Sequence, residues 1–131
     1  MQGEPKTMNR KPVYGSVLLD VYDHLAGRIA AAIDAGIARG GIAIDPGIGF
    51  AKTPAHNRAL LARLGIFRGL GCPVVIGVSR KFGGKNDASK NRLGASLAAG
   101  LAAVGEGAQI LRVHDVAETR QALAVWTSLR L

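Results

Sequence analysis

Apolar residues recur every fourth position from Val17 through Val21, Leu25 and Ile29 to Ile33, with Leu18 and Tyr22 widening the stripe. This spacing predicts an amphipathic helix, capped by Ser16 and stopped near Gly36. The pattern then changes. Ile42-Ala43-Ile44 is a short unbroken apolar run and predicts a buried strand. Thr53-Pro54 places an N-cap before proline at the first helical position, and Leu60, Leu61, Leu64, Phe67 and Leu70 supply the buried face that follows. Val74-Val75-Ile76-Gly77-Val78 predicts a second strand, without alternation, as expected where both faces are covered. A helix from about Leu93 to Val104 carries Gly94, Ala95, Ala98, Ala99 and Ala102, small enough for close neighbours. Ile110-Leu111-Arg112-Val113 predicts the third strand. Asp115 with Glu118 predicts a capping box for a last helix burying Leu123, Trp126 and Leu129.

Helices thus alternate with strands about thirty-five residues apart, the period of parallel βα units with right-handed crossovers. Three strands are few for a parallel sheet, and a chain opening on a loop and a helix is expected to lack a preceding part. With 131 residues, 48% of them hydrophobic, the chain can supply one core of ordinary domain size. Charge interrupts every apolar run before it could span a bilayer, and the N-terminus lacks the apolar centre of a signal peptide. A cytoplasmic protein without a membrane partner is expected. Cys72 is the only cysteine, which excludes an internal disulfide, and its place before an apolar run predicts a buried core thiol.

The 17 basic and 9 acidic residues give a net charge of +8, which favours anionic ligands. Arg80, Lys81, Lys85, Lys90 and Arg92 concentrate part of it in one stretch, readable as a solvated loop or as an anion-facing one. Nucleic acid is not the expected partner, because aromatic interleaving, zinc spacing and a recognition-helix pattern are all missing.

Parallel strands share one C-terminal edge, where ligands bind in such folds. Asp45, the Ser79-Arg80-Lys81 run and Arg112 with His114 are therefore predicted to converge on one rim. Arg112 and His114 are two apart and project from one face of their strand. Guanidinium, ammonium and imidazole together suit a phosphate-like group. Asp45 should emerge as a buried carboxylate requiring a partner. It suits a ligand edge with two adjacent N–H donors, although a structural ion pair with Lys81 fits the spacing as well. His114 has a purely structural alternative too, whereas Arg112, within an apolar strand, calls for an anion. A Walker loop is excluded by Pro46 and Ala51, and a dinucleotide fingerprint by Lys52. Neither a metal site among His24, His56 and His114 nor a Ser/His/Asp grouping is assignable from the spacing, Ser79 having no evident base.

Taken together, Asp45-Pro-Gly-Ile-Gly-Phe50 with Lys52-Thr53 and His56-Asn57, Gly77-Val-Ser-Arg-Lys81, and Arg112-Val-His-Asp-Val-Ala-Glu-Thr119 resemble dihydropteroate synthase in order and spacing. Met1 to Met8 resembles that family's loop after the fifth barrel strand. The resemblance implies an α/β fold, a partial (β/α)8 TIM barrel: the C-terminal half, a single pterin-binding fragment with an active-site loop over residues 1–16 and a helix plus three complete parallel βα units over 17–131. Whole barrels of this kind take about 250 residues.

The implied reaction joins 4-aminobenzoate to the diphosphate ester of 6-hydroxymethyl-7,8-dihydropterin, giving dihydropteroate and pyrophosphate for folate synthesis. By resemblance Asp45, Lys81, Arg112 and His114 carry the chemistry, Asp45 and Lys81 at the pterin and Arg112 and His114 at the diphosphate. Phe50 and Arg80 flank the aminobenzoate, and Gly49, Ser79 and Val113 complete the substrate contacts. Magnesium accompanies the diphosphate, with its protein ligand on an early strand absent here. The isolated chain is therefore expected to be inactive. One local departure, Phe82-Gly83-Gly84 after Lys81, touches the aminobenzoate side and predicts a mobile loop. The alternatives are a methyltetrahydrofolate-binding methyltransferase-type domain and a non-catalytic half-barrel that self-associates. Uncovered strand edges lead us to expect a homo-oligomer, with the small-residue helix near Ala98 as a candidate contact.

Overall fold

The computed structural model describes residues 4, 6, 8, 12–83 and 92–130. Helix α1 spans Val17–Asp34, with the Ser16 hydroxyl accepting the Leu19 N–H at 3.5 Å. At its other end Gly36 takes a φ of +93°, which turns the chain away at no steric cost. Val17, Val21 and Ile29 are buried, while Ile33, in the last turn, stays exposed.

Thr53 and Pro54 start α2 (Pro54–Ala62) as their order predicts, and the third helical residue, His56, completes a capping box through its ring nitrogen. The apolar face expected to continue to Leu70 changes form. Leu64 to Leu70 is a 3-10 helix, and Leu64, Phe67 and Leu70, three apart, fall on one line of a helix with three residues per turn. All three are buried.

The three predicted strand lines run parallel and side by side, but their hydrogen-bonded ladders are shorter than the apolar runs. Strand β1 is Val75–Ile76 and β2 is Ile110–Leu111, in the register Val75 to Ile110 and Ile76 to Leu111. Ile44 joins the other side through a single parallel bridge to Val74. Ile42 and Ala43 make no ladder, because pairing is set by the neighbouring strand and not by local apolarity.

Helix α3 (Leu93–Gly105) turns Ser96, Ala99, Gly100 and Ala103 inward. A Cβ on Gly100 would lie 3.4 Å from Leu111 Cδ1, so small residues let this helix settle on β2. Of the small residues expected to admit close neighbours, Ala99 is buried and Ala95 half-buried, while Gly94, Ala98 and Ala102 are exposed. Helix α4 (Val116–Ser128) packs on α3 but buries no residue completely. Contrary to the expected apolar seam, Leu123 and Trp126 are half-buried and Leu129 is 79% exposed.

The core gathers Ile44, Ile48, Leu60, Leu64, Phe67, Val74, Ile76 and Val78 beneath these helices, and the Tyr22 ring stacks on Phe67 with centroids 6.3 Å apart. Cys72 is buried, as its surroundings predict. Among the described residues no helix is long and apolar enough to cross a membrane.

Candidate active site

The rim is built from the ends of the three strand lines. Past Ile44 the chain turns at once: the Asp45 carboxylate accepts the Gly47 N–H at 2.8 Å, and Gly47 and Gly49 hold φ values of +75° and +81° around the buried Ile48. Four groups pin this loop. Asn57 accepts the Gly49 N–H at 2.8 Å, and the Tyr14 hydroxyl donates to the Ala51 carbonyl at 2.9 Å. Lys52 donates to the Phe50 carbonyl at 3.1 Å, and Lys81 donates to the Ile48 carbonyl. Of these, Tyr14 and the carbonyl roles of Lys52 and Lys81 escaped the sequence reading. Each needs a through-space partner that spacing does not reveal.

Asp45 departs from the expected burial, since it is exposed. Nor does it pair with Lys81: among the described residues the one ion pair joins Arg80 to Asp115 at 2.9 Å. Lys81 instead lies along the Asp45 loop, with Nζ 4.2 Å from the centre of the Phe50 ring. A Cβ on Gly49 would stand 2.9 Å from Lys81 Cδ, so glycine here serves both the left-handed turn and the path of the lysine. One carboxylate oxygen of Asp45 is taken by Gly47, and the exposed group keeps acceptor capacity for a ligand.

Arg80 has a φ of +62°, uncommon for a residue with a Cβ and held only where its surroundings insist. Ser96 Oγ accepts its N–H at 2.8 Å, Arg92 donates to its carbonyl at 3.2 Å, and Asp115 takes its guanidinium. The expected capping box on α4 is thereby lost. Asp115 stands at the N-cap position but makes no side-chain cap bond, because its carboxylate is turned to Arg80. Residues 84–91 of the basic loop, with Gly84 of the Phe82-Gly83-Gly84 departure among them, lie outside the described residues.

From β2, Arg112 and His114 reach the same rim. The Arg112 N–H continues the ladder to the Ile76 carbonyl at 2.8 Å, while its side chain is exposed, not buried as its apolar neighbours suggest. The guanidinium lies over Gly77, where a Cβ would meet Nη2 at 2.8 Å and Cζ at 3.3 Å. Gly77→Ala is therefore expected to swing the guanidinium off the rim while leaving the core alone. A structure of the variant should show the guanidinium displaced from its place over residue 77, with the melting temperature nearly unchanged. A guanidinium left in place in that structure would refute this placement.

His114 meets Ser79. Ser79 Oγ accepts the His114 N–H at 3.3 Å and lies 2.9 Å from His114 Nδ1, a pairing across thirty-five residues that the sequence reading missed. Val113 lies on the opposite side with Leu111, lining a cleft against α4. A cavity of about 320 Å³ also opens between α1 and the Asp45 loop, bounded by Tyr14, Asp20, His24, Asp45, Phe50 and Lys52.

Burial lowers the pKa of Lys52 and of Lys81 below the ordinary 10.5; Asp45 opposes both shifts, while Lys81 adds to the first and Arg112 to the second. Burial, helped by Asp20, raises Tyr14 above 10.0. In the alkaline range below pH 10.5 the unfolded chain holds more lysine protons than the folded one, so these lysines make stability rise with pH. Tyr14 acts oppositely. Above pH 10.0 the folded chain keeps a phenol proton that the unfolded chain loses, and stability falls. Lys52→Met should flatten the rise in melting temperature toward pH 10, and Tyr14→Phe the fall beyond it. A Lys52→Met profile parallel to wild type would contradict this assignment.

The family pattern described as "Pterin binding enzyme" matches residues 1–114. The chain belongs to the pterin-binding enzyme family. Dihydropteroate synthase of Escherichia coli strain K12 is 44% identical over 128 residues, covering 95% of this chain and 45% of that protein. The solved Yersinia pestis dihydropteroate synthase, in complex with a sulfonamide drug, superposes with a TM-score of 0.94 at 38% identity, over 99% of this chain and 48% of the other. Thermus thermophilus dihydropteroate synthase in complex with 4-aminobenzoate gives 0.89 at 39%, over 98% and 53%. The chain thus spans about half the length of the family relatives it matches. The α/β fold with parallel strands agrees with these neighbours.

Among the described residues no three His, Cys, Asp or Glu side chains gather to hold a metal ion.

Proposed function

We propose that the chain forms one wall of a dihydropteroate synthase site, the C-terminal half of a (β/α)8 barrel with three βα units. The observation that carries this reading is the joint presence, at one strand-end rim, of an exposed carboxylate on a pinned glycine loop and of Lys81, Arg112 and His114. In the reaction, the bond between the pterin methylene carbon and the diphosphate oxygen breaks. The amine of 4-aminobenzoate forms the new carbon–nitrogen bond and loses a proton. Negative charge grows on the departing diphosphate, where Arg112 and His114 would hold it, and positive charge grows on the pterin, where Asp45 would accept its N–H groups. Lys81 and Phe50, already in contact, would border the ring.

The 4-aminobenzoate bound to the Thermus relative supports that substrate here. Arg80 is expected to serve it through position, because its guanidinium is engaged by Asp115. With one wall, the chain should bind dihydropterin diphosphate without turning it over. We expect the ligand to raise the melting temperature while labelled 4-aminobenzoate is not incorporated. Protection by methyltetrahydrofolate alone would favour the methyltransferase-type alternative, and full incorporation would refute the half-site.

A further inference from the structure

We infer that Ser79 is a positioning residue whose hydroxyl donates its proton to Nδ1 of His114, fixing the imidazole as the tautomer with hydrogen on Nε2. The register carries this pair together: Ile76 stands beside Leu111, and three residues further along each chain come Ser79 and His114. Ser79 is only 6% exposed, whereas His114 is exposed.

A serine hydroxyl offers one proton and two lone pairs. One lone pair receives the His114 backbone N–H at 3.3 Å. If Nδ1 carried the ring proton, Oγ would accept twice, and its own proton would be left buried with no other acceptor among the described residues. Donation from the hydroxyl to Nδ1 at 2.9 Å satisfies every group, and buried donors without partners are strongly disfavoured. Nε2–H is then left as the ring's outward donor. The pair is not a nucleophilic serine with its base. In that arrangement serine faces Nε2 and a carboxylate holds Nδ1, whereas here serine itself occupies Nδ1 and among the described residues no carboxylate bonds His114.

That the Nε2–H meets a diphosphate rests on the function proposed above; the tautomer does not. The test is a long-range proton–nitrogen correlation spectrum of the full 15N-labelled chain, about two units above the ordinary histidine pKa of ~6.5. His114→Gln identifies the signals. His56, whose Nδ1 accepts the Thr53 N–H, is an internal reference for the same tautomer. The expected spectrum shows His114 as a single Nε2–H species. Ser79→Ala shifts Nδ1 and restores the mixture seen for free histidine, and Ser79→Thr retains the wild-type pattern. A wild-type ring protonated on Nδ1, or an Nδ1 signal unmoved in Ser79→Ala, would overturn the inference. Added pyrophosphate should move Nε2 and leave the tautomer alone. A still Nε2 with the predicted tautomer would sink the diphosphate reading and not the role of Ser79.

Discussion

Phe67→Ala is expected to lower the melting temperature by at least about 10 °C and to leave a substantial unfolded population at 37 °C. Phe67 is fully buried, stacks with Tyr22 and shares the core with Leu60, Leu64 and Leu70 where the 3-10 segment packs on α1. Truncating a buried phenylalanine costs about 3–5 kcal/mol through lost transfer energy and the cavity left behind. Domains hold only ~5–15 kcal/mol in total, and one kilocalorie corresponds to roughly 3 °C at this size. The neighbours have little freedom to fill the hole, because Leu60 and Leu64 are also fully buried. Thermal unfolding followed by circular dichroism checks it; a change of only a few degrees would mean that this core is far looser than its packing implies.

The same segment shows how far the sequence is legible. Leu64, Phe67 and Leu70 are correctly expected inside because apolar burial follows composition, yet their spacing of three, the mark of a 3-10 helix, is absorbed into a longer α-helical reading. Helix starts at Ser16 and at Thr53-Pro54 are legible because capping is decided within one turn of chain. Asp115 looks like such a cap and is not, since Arg80, thirty-five residues earlier, competes for its carboxylate. The strand ladders fall short of the apolar runs for the same reason. Ile42 and Ala43 are apolar, but a ladder needs a partner at the right height.

At the rim, convergence of Asp45, Lys81, Arg112 and His114 follows from parallel strands sharing an edge, which is a property of topology and readable from element order. Their partners are not readable. Lys81 bonds a carbonyl in place of Asp45, Arg112 rests on Gly77, and His114 finds Ser79. Gly77 and Gly49 look like ordinary strand and turn glycines in the sequence. Only the distances that a Cβ would have to share with Arg112 and Lys81 reveal that they keep space for cations.

The second large effect concerns the ligand itself. Asp45→Asn keeps the turn-forming oxygen that accepts the Gly47 N–H but replaces an acceptor-only group with one that also donates, which under the proposed function would meet the pterin N–H edge with the wrong polarity. Arg112→Ala removes the guanidinium that under the proposed function would hold the diphosphate, and spares the core, since this side chain is exposed. A hydrogen bond to a charged group is worth about 1.5–3 kcal/mol, so each change should weaken binding by roughly tenfold to a hundredfold. The two losses arise at opposite ends of one ligand. Free pyrophosphate, which has no pterin edge, should therefore respond to Arg112→Ala and not to Asp45→Asn.

Isothermal titration of dihydropterin diphosphate into the wild-type chain, Asp45→Asn and Arg112→Ala tests the half-site most directly. The half-site account predicts saturable heat for wild type and at least about a tenfold weaker isotherm for each variant. Three superimposable isotherms would contradict it.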